Sequence, residues 1–165
     1  MLVFLDTEFT GLSNPAHARQ LLSLALVAED CSAEWYAELD GWELADCDLW
    51  VQRHVVPLLT GPSLSRDAAR ASLQDWFATR PRSVQAACDS DIDWRFLLGL
   101  LGERPSNLAA QRLDLAPLID TAIYNNTVRL ILPMDIPSTT PCMMPERIGL
   151  AGSHGWMDAR KSMPC

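Results

Sequence analysis

MLVFLDTEFTGLSNPAHARQLLSLALVAEDCSAEWYAELDG (Met1–Gly41) holds the three apolar segments on which the fold turns. Leu2 to Leu5 is a short apolar run ending at Asp6, and Leu21 to Ala28 is a second, followed by the polar pair Glu29 and Asp30. Apolar runs this short, bounded by polar residues, suit strands with little exposed surface. Glu34 to Leu39 adds Trp35 and Tyr36, strand-favouring aromatics, and stops at Asp40-Gly41, a turn pair able to close a strand of a meander. The opening third therefore reads β-β-β.

Downstream, the period changes. Asp46 to Leu59 carries Leu49, Trp50, Val55 and Val56, the spacing of a short helix that Pro57 ends, and Gly61-Pro62 then breaks the chain. From Ser63 to Ala78, Ala69, Leu73, Trp76 and Phe77 share one helical face, with Ser63 or Ser65 placed to cap it and Asp67 in the first turn. Ser83 to Cys88 reads as a fourth strand. Trp94, Leu97, Leu98 and Leu101 predict a second helix, with Asp91 or Asp93 at its start and its end near Gly102. Leu115 to Tyr124 has a weaker helical pattern. Pro133, Pro137, Pro141 and Pro145 forbid a long helix, so 131–149 is expected as a Pro-rich loop, with a short helix around His154 to Lys161 after it. Three strands, then helix, strand, helix and a C-terminal helical piece describe an α/β fold, a mixed sheet with helices packed on it.

At 165 residues and 18.3 kDa the chain is expected to form a single domain, 1–165, with a real core. No run of apolar residues is long enough to span a membrane, and the N-terminus lacks the marks of a secretory signal, so the expectation is a soluble, cytoplasmic protein. The cysteines, Cys31, Cys47, Cys88, Cys142 and Cys165, form no C-x-x-C pair and point to neither a zinc site nor a disulfide framework. The formal net charge of −8 argues against general electrostatic attraction to nucleic acid. Its weight falls where a site gathers carboxylates at its centre and neutralises them with cations. The surplus is also local: Glu29, Asp30, Glu34, Glu38, Asp40, Glu43, Asp46 and Asp48 follow one another with no Lys or Arg between them, and are read as a solvated face.

Asp6 and Glu8 end the first strand two residues apart, so an extended chain points both carboxylates to one side. Two such acids repel unless a positive charge sits between them, and hard carboxylate oxygens suit magnesium or manganese. FLDTEFTGL (Phe4 to Leu12) closely resembles the first motif of the DEDD exonucleases, D-x-E on the opening strand. DIDWRFLLGLL (Asp91 to Leu101) resembles their second, an Asp at a helix start followed by Phe-Leu. SHGWMDAR (Ser153 to Arg160) resembles their third, the His and Asp of the DEDDh branch. WVQRHVVPLL (Trp50 to Leu59) and the short length look like the compact bacterial 3′–5′ exoribonucleases related to RNase T. One spacing departs from the family: His154 and Asp158 are four apart rather than five, beside the pliable Gly155.

The resemblance implies a ribonuclease H-like mixed sheet, three antiparallel strands followed by parallel ones, with helices on both faces. It also implies a 3′→5′ exonuclease acting on a single-stranded 3′ end, RNA favoured over DNA, in a possible homodimer and with no membrane partner. Two magnesium or manganese ions would be held by Asp6, Glu8, Asp93 and Asp158, with His154 taking a proton from the attacking water. Thr7 and Phe9 would contact the terminal nucleotide by backbone and by stacking. Two other classes fit the sequence: a nuclease-like binding or regulatory module whose site has decayed, and a phosphohydrolase of short oligonucleotides.

Other readings of the same residues are structural. Asp93 competes with ordinary helix capping by itself or by Asp91, and Asp89 and Asp91 are decoys for it. His17 and His54 read as exposed or structural. Trp76 and Trp94 lie on apolar helix faces and read as core. Arg66, Arg70, Arg80 and Arg82 form the densest basic region, placed either to contact phosphates or to solvate a helix.

Overall fold

A computed structural model describes residues 1–119. In chain order the elements are β1 (Leu2–Phe9), β2 (Leu21–Ala28), β3 (Glu34–Leu39), α1 (Leu49–His54), β4 (Ser63–Leu64), α2 (Arg66–Ala78), β5 (Gln85–Cys88), α3 (Asp91–Leu101), β6 (Leu113–Asp114) and α4 (Ala116–Ile119). The strands form one mixed sheet in the order β4-β3-β2-β1-β5-β6. β1, β2 and β3 pair antiparallel, as a meander must, while β5 joins β1 and β6 joins β5 in parallel. The expected residues 120–124 of the fourth helix, the 131–149 loop and the helix around His154 lie outside the described residues.

β1 shows the pleat at work. Val3, Leu5 and Thr7 are buried on one side, and on that side Val3 and Leu5 join Leu24, Leu26, Trp35 and Ala86 under α2 and α3. Ala69, Leu73 and Phe77 of α2 and Leu97, Leu100 and Leu101 of α3 complete this core. A separate, smaller cluster of Leu22, Cys47, Val51 and Val55 anchors α1, with Trp42 and Trp50 packed against it. Trp76 and Trp94 pack at the border of the main core, in line with their helical spacing.

Three local expectations change. Ser63 and Leu64 are not the first turn of a helix but β4, parallel to Glu38 and Leu39. The cause is the buried Glu38 carboxylate, which accepts the Gly61 N–H at 3.0 and 3.1 Å and so pins the Gly61-Pro62 turn beside β3. Glu38 is thereby the buried member of the acidic run, where Asp48 is half-buried and Glu29, Asp30, Glu34, Asp40, Glu43 and Asp46 are exposed as expected. The Asp46–Leu59 helix is shorter than its pattern, and Val51, not the exposed Leu49, supplies its buried contact. Finally, α3 is capped by neither Asp91 nor Asp93: Ser90 Oγ accepts the Ile92 N–H at 3.0 Å.

The cap of α2 is Ser65, whose Oγ accepts the Ala68 N–H at 3.2 Å. Ser65→Ala is expected to cost about 1 kcal/mol, read as a lower urea midpoint with an unchanged slope. Along the same helix Arg66, Arg70 and Gln74, spaced by four, donate to the carbonyls of Gly99, Leu100 and Leu101. These are carbonyls at the end of α3, which the helix itself leaves without partners. Gly102 follows in a positive-φ conformation, φ 72°, and ends α3 where the sequence predicts. Two of the four arginines of the basic region thus serve to join the helices. Among the described residues no helix is long and apolar enough to cross a membrane.

Candidate active site

β1 delivers Asp6 and Glu8 to the sheet face away from α2 and α3, because alternation puts Val3, Leu5 and Thr7 on the helix side. Glu8 is 7% exposed. Asp6 Oδ2 is shielded from solvent and accepts no hydrogen bond from any described residue. Burial raises the Asp6 carboxyl well above the ordinary range, and the charges of Glu8, Asp93 and Asp89 raise it further. A buried acid oxygen without a donor, among three more acids, is costly unless a proton or a cation attends it.

Asp93 comes from the first turn of α3, 5% exposed. With Ser90 doing the capping, its carboxylate is free to turn toward β1, where Oδ1 accepts the Thr7 hydroxyl at 2.5 Å. Burial pushes its pKa up to about 7; the Thr7 bond and Arg112 work against this, and Asp89 and Glu8 add to it. Asp89, at the end of β5, is half-buried and raised by the same desolvation. It belongs to this group of acids. Its neighbour Asp91 does not: it is exposed and paired with Arg112 at 3.0 Å, and Arg112 also holds Asp114 and the Cys88 carbonyl.

The two residues expected to meet a nucleotide are placed differently. Thr7 is buried, and its hydroxyl is committed to Asp93, so it acts as a strut between the two motifs. Phe9 is partly buried and lies against Phe96 of α3, ring centres 5.4 Å apart. Thr7→Val removes the donor at nearly constant volume. We expect a loss of about 1 kcal/mol of stability, measured by denaturation.

A pair not singled out in the sequence sits beside Glu8. Cross-strand register puts Glu8, Ser23 and Glu38 in one row, and Asp6, Ala25 and Tyr36 in the next. The Tyr36 hydroxyl donates to Glu38 Oε1 at 2.9 Å, and burial together with that bond keeps the phenol protonated far above neutral pH. Parity along β3 was the available signal, since Tyr36 and Glu38 are two residues apart. His54 stacks on Trp50, and its Nδ1 meets the Trp50 carbonyl at 2.9 Å, a structural use.

Whether these acids suit a divalent cation rests on their donor atoms. All are hard carboxylate oxygens, and Asp6 Oδ2 is available. Among the described residues, no three His, Cys, Asp or Glu side chains converge as a metal-binding group. The remaining expected ligand, Asp158, and His154 lie outside the described residues. Comparison with known protein families and with curated proteins finds no match to this chain.

Proposed function

We propose that the chain is a metal-dependent 3′→5′ exonuclease of the DEDDh type on a ribonuclease H-like fold, with RNA as its substrate. The observation that carries this reading is the buried Asp6 Oδ2 of β1, which accepts no hydrogen bond from any described residue and on which the charges of Glu8, Asp93 and Asp89 act. Asp6, Glu8, Asp93 and Asp158 would hold two magnesium or manganese ions. Bound there, such ions supply Lewis-acid stabilisation of charge on a phosphodiester and lower the pKa of water.

The chain's own part is to orient and to exclude. Thr7 holds Asp93 against β1, Ser90 takes the capping duty from it, and the core beneath fixes the spacing of the strand and helix. His154 is the group whose ordinary titration range suits removal of a proton from the attacking water. Phe9, which follows Glu8 in β1 and lies against Phe96, is the aromatic side chain that would stack on a terminal base.

The test is shortening of 3′-labelled RNA and single-stranded DNA by purified protein with magnesium or manganese, beside the Asp6→Asn variant. Loss of one nucleotide at a time from the 3′ end, abolished in the variant, is the expected result. Inertness of both proteins sinks the reading. A second reading, a nuclease-like binding module that has lost its chemistry, is favoured by the four-residue spacing of His154 and Asp158 and by the net charge of −8. It predicts oligonucleotide binding without turnover and no calorimetric signal for divalent ions.

A further inference from the structure

On the other end of α3 from Asp93, about 15 Å away at 1.5 Å per helical residue, a groove of about 730 Å³ opens between the end of α2 and the loop that follows α3. Its walls carry Gln74, Arg80, Arg82, Glu103, Arg104 and Asn107, three guanidiniums against one carboxylate. In a chain of net charge −8 this is a local reversal of sign. The walls are fixed to each other, because Asn107 Nδ2 donates to the carbonyls of Phe77 and Pro81 at 2.9 and 3.1 Å.

Two of the arginines are oriented in advance. Arg80 lies over the Trp76 ring, 4.9 Å from its centre, and donates to the Trp76 carbonyl and the Thr79 hydroxyl. Arg104 donates to the Leu108 carbonyl. Arg80 uses Nε and one Nη2 N–H and Arg104 one Nη1 N–H, so each keeps further N–H groups for another acceptor. Arg82 makes no hydrogen bond or ion pair with any described residue. A solvated helix face would require none of this anchoring: the guanidiniums would extend into water, each on its own.

We propose that the groove is a binding site for a phosphate oxyanion, gripped by Arg82 between the anchored Arg80 and Arg104. The forks match phosphate oxygens bidentately. Its occupant is either a free phosphate or an internal phosphodiester of a single strand. The site stands apart from the acids of β1 and does not depend on what they do.

The experiment uses the full chain in chelator, so that no hydrolysis intervenes. Inorganic phosphate is titrated by calorimetry, and labelled single-stranded oligonucleotides of about 4 and about 16 residues are titrated by anisotropy at several salt concentrations. Arg82→Gln is expected to weaken binding about fivefold and to lower the salt slope for a strand by about one. Glu103→Gln is expected to tighten binding, a change of opposite sign that fold damage would not produce. Longer strands binding more tightly assign the site to phosphodiesters, and phosphate binding with no gain from length assigns it to a free anion. Wild-type protein that binds neither probe, or variants that both match it, overturn the proposal. A failed exonuclease assay leaves these outcomes unchanged.

Discussion

Asp6→Asn protein is expected to lose hydrolysis of a 3′-labelled strand by at least about a hundredfold, and yet to melt at a higher temperature than the unaltered protein in metal-free buffer at pH 8. The two effects have one cause. Asp6 Oδ2 is buried without a partner, and Glu8, Asp93 and Asp89 all act on it with the same sign. An amide removes the charge at constant shape and brings donors to a place rich in acceptors. The gain should be about 1–2 kcal/mol, or about 2–4 °C for each of them in a chain of this size. Single-turnover assays and differential scanning calorimetry on the same preparation test both halves. A variant that hydrolyses normally and melts lower would make Asp6 an ordinary structural acid.

The metal-free protein is also expected to lose stability as pH rises from about 4 to about 7, the reverse of common acid denaturation. Asp93 has an ordinary value of 3.8 and is pushed to about 7 in the fold by burial. Its stabilising contribution is complete below the unfolded value and disappears as pH climbs through the folded one, because between them the native state holds a proton that the unfolded chain has released. Each tenfold change in proton affinity is worth about 1.4 kcal/mol, so the loss is on the order of a few kcal/mol. Asp6 is displaced in the same direction and adds to the slope. Asp114, lowered by its bond to Arg112, works oppositely but only in more acidic solution. Urea titrations at closely spaced pH values measure the slope. Asp93→Asn should flatten it, and magnesium or manganese at pH 8 should restore the lost stability by binding the folded state alone. A flat profile in the unaltered protein would contradict the burial of this pair of acids.

How much of this could be read in advance varied with the range of the forces. β2 and β3 were legible to the residue, since Leu21–Ala28 and Glu34–Leu39 are apolar or aromatic runs bounded by polar pairs. The end of α3 at Gly102 was equally local. β4 and β6 were not, being two residues each and created by long-range contacts: Glu38 holding Gly61, and parallel pairing of Leu113 with Ala87. In the site, Asp6 and Glu8 share a face by simple alternation. The Thr7–Asp93 bond spans 86 positions and belongs to the packing of α3 on β1. Nothing local separates Asp89 from Asp91; the difference is that Arg112, beside β6, pairs with Asp91, whereas Asp89 is half-buried and its charge acts on Asp6 and Asp93.

The place of β1 in the sheet also governs the order of events when the chain is made. Its partner on one side, β2, begins at Leu21, whereas its partner on the other, β5, begins only at Gln85. A growing polypeptide therefore completes the β1–β3 hairpins while the outer rim of β1 has nothing to bond with, an adhesive ladder of amides that invites intermolecular pairing. Parallel docking of β5 across so long an intervening segment is the step that closes it, and closure of that kind is slow. Aggregation during synthesis should be governed by how soon α2 and β5 arrive.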